Sequence, residues 1–366
     1  MNKKLKIGFV GCDGIMKWRH LPALADMEDV EIVALCDVVP GRCEEIQAFC
    51  KSEYHSDALQ NARCYTDYAE FLKDPEVEAV DICTPNFLHS PFSVQALEAG
   101  KHVFCEKPDA VNVEGILRMK EASERSGKVL MVMRNNRHHA ATKALKSLVE
   151  QGEFGTIYCG RCGWVRRRGI PGKGGWFTTK EQSGGGPLID LGVHMIDLAI
   201  YLMGNPKPVA VSGAVYTNFA ENDGKQTSDS AKYGEVKKDG IFDVEDQAMG
   251  FIRFDNGACL QIDFSWAANI EANDVNYVEL RGSKAGLKWK NSGAKAKIFK
   301  EVDGEQIDVD VNVDTSVGGH ENNLRHFVDV VLYGKTPDYL PQQGVDMIKI
   351  LCAIYESART GKEVYL

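Results

Sequence analysis

Up to residue 135, short apolar runs alternate with stretches whose apolar positions recur three or four residues apart. The runs Ile7–Val10, Val30–Cys36, Arg63–Tyr65, Ala79–Cys83, His102–Cys105 and Val129–Met133 predict strands, and Ile15–Met27, Pro91–Ala99 and Val113–Ser126 predict helices. Strand–helix units of this length make right-handed crossovers, so the strands are expected to lie parallel in a doubly wound sheet of the dinucleotide-binding (Rossmann) kind.

From residue 136 the pattern changes. A helix over His138–Gln151 leads into the strand-like segments Ile157–Val165, Val209–Val215, Ala248–Phe254, Ala258–Trp266, Tyr277–Leu280 and Ala296–Phe299. Asp255-Asn256-Gly257 is a hairpin signal, and strands joined by such turns run antiparallel. Helices are predicted over Pro187–Met203 and Gly344–Ser357, and polar residues 217–239 read as a long loop. The expected fold class is α/β. An N-terminal Rossmann sheet spans residues 1–135, and an α+β domain on a large, mainly antiparallel open sheet spans 136–366. Open sheets of this kind pair between subunits, so a homo-oligomer is expected.

Composition agrees with two domains: 366 residues are too many for one ordinary core. With 44% hydrophobic and 26% charged residues, the chain reads as soluble and globular. A net charge of −9 argues against nucleic-acid and anionic-membrane partners, and the nearest basic cluster, Arg166-Arg167-Arg168, is short and followed by glycine. No apolar run reaches the roughly 7–15 residues of a signal sequence or the about 20 of a membrane span, so a cytoplasmic protein is expected. The 11 cysteines scatter through apolar strands as reduced thiols do. Cys159 and Cys162 form a CxxC inside a predicted strand, where they face opposite sides, so no metal is expected.

The segment from Gly8 to Met16 stands where a dinucleotide-binding turn belongs, and there the backbone must approach a pyrophosphate closely. Aligned on Gly11, the GxGxxG pattern asks for glycine at 13 and a small residue at 16, and finds Asp13 and Met16; Gly14 and Ile15 complete the turn. A carboxylate 4 Å from one phosphate charge costs about 1 kcal/mol in water and about 4 at an effective dielectric of 20. Asp13 is therefore expected to turn outward or to pair with Lys17 or Arg19. A nucleotide held mainly by other contacts, without exchanging freely, also reconciles it. Asp37 ends the second strand, placed to bond an adenosine ribose and to repel a 2′-phosphate, which favours NAD over NADP. Arg42 is the nearby cation able to soften that preference.

Two constellations carry candidate chemistry. Glu106-Lys107-Pro108 and Thr84-Pro85-Asn86, with His89, follow strands at the carboxyl edge where α/β sheets bind ligands. After Ser183-Gly184-Gly185-Gly186, the predicted helix carries Asp190 and His194 four residues apart, on one face. A carboxylate beside an imidazole orients the ring and raises its basicity, as a general base requires. Trp164, Trp176 and Phe177 offer flat faces to a sugar ring, with core packing the alternative for Trp164. Arg166 and Arg168 suit hydroxyls or a carboxylate, and Asn135, Arg137 and His320 are further substrate candidates.

These residues give the chain its resemblance to the Gfo/Idh/MocA oxidoreductases, a family that includes glucose–fructose oxidoreductase and inositol dehydrogenase. It rests on the Gly11 turn, Thr84-Pro85-Asn86…His89, Ala99-Gly100-Lys101-His102-Val103, Glu106-Lys107-Pro108, Gly152…Gly155, Gly174-Gly175-Trp176 and Asp190…His194, and departs from the family at Asp13. The resemblance implies a nicotinamide cofactor, NAD, on the N-terminal domain, its reactive face covered by the second domain. It implies that Lys107 binds the reacting hydroxyl, that His194 removes its proton, and that Asp190 positions His194 or binds substrate. The expected reaction is oxidation of a secondary alcohol on a sugar, glycoside or cyclitol, with the 3-hydroxyl of a glucoside one candidate. The competing readings are glycoside cleavage through transient oxidation and elimination, a non-catalytic sugar-responsive regulator, and reduction of an imine, biliverdin-like or keto-sugar substrate.

Overall fold

The computed structural model describes residues 3–221, 224–229 and 233–366. They divide into two compact units: Met1–Met133 with His320–Val345, and Arg134–Gly319 with Asp346–Leu366.

In the first unit β1 (Leu5–Val10), β2 (Val30–Cys36), β3 (Arg63–Tyr65), β4 (Ala79–Ile82), β5 (His102–Cys105) and β6 (Leu130–Val132) form one sheet in the order β3-β2-β1-β4-β5-β6. Every pairing is parallel. Strands covered on both faces are mostly apolar, which is why β1 and β4 read as near-continuous hydrophobic runs interrupted by Lys6 and Asp81. Chain order reverses between β1 and β4, and outside the carboxyl ends at such a point lies the ligand crevice of doubly wound sheets. The expected helix over 15–27 is two pieces, a π turn at Met16–His20 and an α segment at Leu21–Ala25 that carries Pro22 in its first turn. The Arg42–Glu53 helix was not foreseen, because only Cys43, Ile46 and Cys50 of its twelve residues are buried.

Assigning everything after residue 135 to the second domain needs correction: residues 320–345 belong to the first unit. Much of this segment is an unforeseen helix, Gly319–Tyr333. Phe327 packs against Phe104 of β5 with ring centroids 5.2 Å apart and the planes tilted by 52°, both fully buried. Arg325 grips Asp29 with two bonds of 2.6 and 2.9 Å, and the Tyr333 hydroxyl donates to the same carboxylate at 2.7 Å. Tyr339 donates to buried Asp109 just past Pro108.

The second unit is built on nine strands: β7 (Ile157–Arg166), β8 (Pro208–Tyr216), β9 (Gln247–Phe254), β10 (Cys259–Ser265), β11 (Asp274–Gly282), β12 (Ala285–Lys290), β13 (Lys295–Val302), β14 (Glu305–Asp310) and β15 (Val364–Tyr365). Their order is β14-β13-β12-β11-β7-β10-β9-β8-β15, and only β7 with β10 runs parallel. β9 and β10 are joined through Asp255–Gly257, as the hairpin signal requires. The Val193–Leu202 helix lies on β7 and β11; eight of its ten residues are buried, so it is apolar nearly all round. The stretch Lys180–Leu202 is apolar enough to cross a membrane but is 83% buried within the protein, which makes it a core element.

If residues 320–345 complete the first unit's core, Phe327→Ala should cost about 3–5 kcal/mol of stability. Urea unfolding read by circular dichroism measures this, and a loss below about 1 kcal/mol would place the segment outside the core.

Candidate active site

In the first unit the cofactor turn closes directly onto the end of β4. Gly11 has φ +85°, and a Cβ there would stand 2.8 Å from the Cys83 carbonyl oxygen and 3.1 Å from the Thr84 nitrogen. Only glycine fits, both by conformation and by space. The turn is tied to the next strand as well: the Gly11 N–H donates to the Cys36 carbonyl, and the Cys12 N–H to the Asp37 carboxylate, each at 2.9 Å. The second Asp37 oxygen accepts the Val39 N–H at 2.9 Å. A carboxylate has about four acceptor sites, so lone pairs remain for ribose hydroxyls. Thr84 Oγ1 is buried with no partner, an atom a bound ligand would satisfy. A glycine cradle, a fixed carboxylate and an orphaned hydroxyl fit a dinucleotide.

Asp13 turns outward and pairs with Arg42 at 3.4 Å, at the start of the unforeseen helix, rather than with Lys17 or Arg19. Lys17 lies instead over the Phe49 ring. Gly14, at φ +47°, faces open space, and Ile15 leads into the π turn, in which Met16 is fully buried. Pro85 caps the Asn86–Glu98 helix, and Asn86 is buried in its first turn.

His89 is not an exposed cofactor ligand. It is 1% exposed, with Nδ1 2.7 Å from the Pro108 carbonyl and Nε2 2.8 Å from the Thr84 carbonyl. Burial lowers its pKa and the two carbonyls oppose that. The ring thus joins the Thr84-Pro85-Asn86 and Glu106-Lys107-Pro108 strand ends. Lys107 is half-buried at the carboxyl end of β5. Its N–H donates to the Glu106 Oε2 at 3.1 Å. Glu106 itself is buried, and its Oε1 lies 2.9 Å from His20 Nε2. Burial alone would push this carboxyl up, but the bond from His20 and the charges of His20, Lys107 and His320 hold it down at about 2. His320 therefore acts on Glu106 from within the first unit.

In the second unit the Gly184–Gly186 approach packs tightly. A Cβ on Gly185 would meet the Tyr355 hydroxyl at 2.0 Å, and one on Gly186 the Glu245 carbonyl oxygen at 2.0 Å. Buried Glu245 accepts the N–H groups of Gly186 and Leu188 at 3.0 and 3.1 Å and the Tyr355 hydroxyl at 2.9 Å, capping the segment that carries Asp190. Burial raises its pKa against those three bonds. Asp190 lies in a π turn, Leu188–Gly192, and accepts the Trp266 indole N–H at 2.9 Å. The His194 ring stands against Trp164, centroids 5.8 Å apart.

The remaining substrate candidates separate. Arg166 is buried over the Trp164 face, 3.4 Å from Asp274, with its pKa lowered by burial against the charges of Asp190 and Asp274. Trp164, Arg166, Asp190, His194 and Trp266 thus make one cluster within this unit. Arg168 bonds Ala268 and Asn269 and lies over Phe219, while Trp176 stacks half-buried on Phe177. Asn135 is buried and its Oδ1 has no partner. Arg137 departs from expectation. It is 1% exposed and binds Asp197 through two bonds of 2.7 and 2.6 Å, with Arg134 on the same carboxylate at 3.0 Å, so its visible role is structural.

His20, Asp81, Glu245 and Trp266 were missed from sequence. Asp81 had a signal: a carboxylate inside the apolar run Ala79-Val80-Asp81-Ile82 needs a buried partner.

Residues 5–134 match the profile described as "Oxidoreductase family, NAD-binding Rossmann fold", and 142–288 that of the "GFO/IDH/MocA C-terminal domain". Among relatives, the D-glucoside 3-dehydrogenase of Escherichia coli (strain K12) is 31% identical over 99% of this chain and 97% of its own. A protein of Amycolatopsis mediterranei (strain S699), named as a putative UDP-kanosamine synthase oxidoreductase subunit, is 33% identical over 77% of this chain and 74% of its own. The solved structure of a levoglucosan dehydrogenase with NADH and levoglucosan shares the fold, with a TM-score of 0.84 at 23% identity over 99% of both chains. The chain belongs to the Gfo/Idh/MocA oxidoreductase family, with an NAD-binding Rossmann domain at its N-terminus.

Proposed function

We propose that the protein oxidises a secondary alcohol of a sugar, glycoside or cyclitol to the ketone, with NAD as the oxidant, and that the 3-hydroxyl of a glucoside is the foremost candidate. The observation that carries this reading is the near full-length likeness to a D-glucoside 3-dehydrogenase in a chain that also holds Lys107, Asp190 and His194. When bound, NAD supplies a hydride acceptor. The Lys107 ammonium binds the reacting hydroxyl and offers positive charge where negative charge develops on oxygen. His194 takes the hydroxyl proton, and Asp190, steadied by the Trp266 indole, positions the imidazole or holds a substrate hydroxyl. Trp164, Arg166, Arg168, Trp176 and Asn135 supply the sugar subsite; Arg137 is left out because Asp197 holds it.

Gly11, Asp13, Gly14, Ile15, Asp37, Thr84, Pro85, Asn86 and Glu106 form or support the nucleotide site, with His89 behind them. Asp37 favours NAD over NADP. The pairing of Asp13 with Arg42 turns the carboxylate's charge toward a cation, which supports NAD binding at this turn without a permanently held nucleotide. The open face of the nine-stranded sheet, with Met249 and Phe299 exposed, is the surface for a homo-oligomer. Eleven free cysteines support a reducing, cytoplasmic setting.

An absorbance screen at the NADH band against glucosides, free sugars and inositols tests the reading, and NADH should accumulate with at least one of them over many turnovers. Lys107→Ala and His194→Ala should each lower kcat by about 10²–10⁴-fold, and near-normal turnover by both would sink the assignment. With the best substrate, NADP should give a kcat/KM at least about tenfold below that of NAD. A preference for NADP would remove the role given to Asp37.

A further inference from the structure

His20 is wholly buried, on the π turn that follows the glycine turn. Its Nδ1 lies 2.8 Å from Asp81 Oδ2, and its Nε2 2.9 Å from Glu106 Oε1. A neutral imidazole has one N–H, so it would turn a bare nitrogen lone pair toward one of two ionised carboxylates at under 3 Å. The doubly protonated ring donates to both carboxylates at once. Glu106 then uses its other oxygen to accept the N–H of Lys107. We propose that His20 is a positioning residue for Lys107: a buried imidazolium that bridges Asp81 and Glu106 and holds the Glu106 carboxylate against the lysine's peptide N–H.

The charged and titratable groups around the ring agree. From β4 and its end come Asp81 and Cys83, whose sulfur is 3.5 Å from Nδ1 and 3.6 Å from Asp81 Oδ1. From the end of β5 come Glu106 and Lys107, with the Phe104 ring 6.0 Å away. From the Gly319–Tyr333 helix, His320 adds its charge at Glu106. Burial opposes charge on the ring, yet Asp81 and Cys83 raise its pKa well above the ordinary histidine value. The bridge links three parts of the carboxyl edge that are distant in sequence: the segment after the cofactor turn, β4, and the strand end that presents Lys107. Of the two carboxylates on the ring, Glu106 is the one whose other oxygen accepts the Lys107 N–H, so the coupling has a direction that mutation can read.

The inference rests on the role given to Lys107 above, and it is tested in two arms. The first does not use activity. In ¹⁵N-histidine spectra of the full chain at pH 8, the His20 ring should carry protons on both nitrogens, and Glu106→Gln should lower the pH at which it loses one. A neutral ring at pH 8 in the wild type overturns the proposal whether or not any sugar is a substrate.

The second arm uses turnover with the best substrate of the screen. His20→Gln supplies no positive charge, so burial drives the carboxyl of Glu106 upward. The ionised form is the one that holds the Lys107 N–H, so activity is lost as pH falls through the raised value. The acid limb of log kcat should move up by at least about one pH unit, with kcat at neutral pH down about 30–100-fold and the NAD Kd little changed. If His20→Gln does not fold, Glu106→Gln and Asp81→Asn keep the ring and the shape of the site. Glu106→Gln should then lower kcat far more than Asp81→Asn, which sits on the side of the ring away from Lys107. Equal losses in those two variants, or a folded His20→Gln with an unmoved acid limb, would show charge balance alone and overturn the positioning role.

Discussion

The imidazole of His20 held between two buried carboxylates is the interaction on which the first unit's ligand edge depends. Taking charges out of water is expensive, and a buried ion left without its partner typically costs about 3–5 kcal/mol. Asp81, His20 and Glu106 therefore exist as a set, each tolerable only because the next is present. The set constrains the backbone around it. β4 must admit a carboxylate in an otherwise apolar run, and the helix after the glycine turn must carry its fifth π-turn residue inward. The end of β5 must present Glu106 to the core and Lys107 toward the edge.

The second unit solves the same problem with different groups. Glu245 is buried, and its charge is met by two peptide N–H groups and a tyrosine hydroxyl at the start of the segment that carries Asp190 and His194. Asp197, on the helix that follows, is met by Arg134 and Arg137. In each unit a buried ionised side chain fixes backbone next to a residue expected to do chemistry. Such a scaffold gives precision where an apolar core gives only stability, because a hydrogen bond to a charged group is both strong and directional.

Sequence patterning reached the parallel sheet because strands buried on both faces leave long apolar runs, and it placed all six of those strands. It missed the Arg42–Glu53 helix, whose buried stripe is two cysteines and one isoleucine, and the exposed edge strand β14, where Glu305–Asp310 is half acidic. It missed β12 for another reason: the alternation of Ala285, Leu287 and Trp289 with Gly286, Lys288 and Lys290 is short and holds only one large β former. The return of residues 320–345 to the first unit rests on Phe104–Phe327 and Asp29–Arg325, contacts between residues more than 200 apart that no local window contains. Among candidate site residues, motif and strand-end position singled out Lys107 and Asp37. Residue type alone did not reveal that His89 and Arg137 are already committed to Thr84, Pro108 and Asp197.

The acidic glycine turn shows how a missed element changes a functional argument. Read in isolation, Asp13 opposes a pyrophosphate, and Arg42 stands ready to welcome a 2′-phosphate. The helix at Arg42–Glu53 alters both at once. It brings Arg42 to Asp13 at 3.4 Å and to Glu45 at 3.7 Å, so the cation is compensated twice. Asp37 cannot swing aside in exchange, because both its oxygens hold peptide N–H groups of the turn and of the loop after β2. A 2′-phosphate would thus meet a fixed carboxylate with its nearest cation already engaged. Between unit charges at 4 Å that repulsion ranges from about 1 kcal/mol in water to about 4 at an effective dielectric of 20. In the proposed nucleotide site, the ion pair that turns the Asp13 charge aside also engages the arginine that could answer a 2′-phosphate.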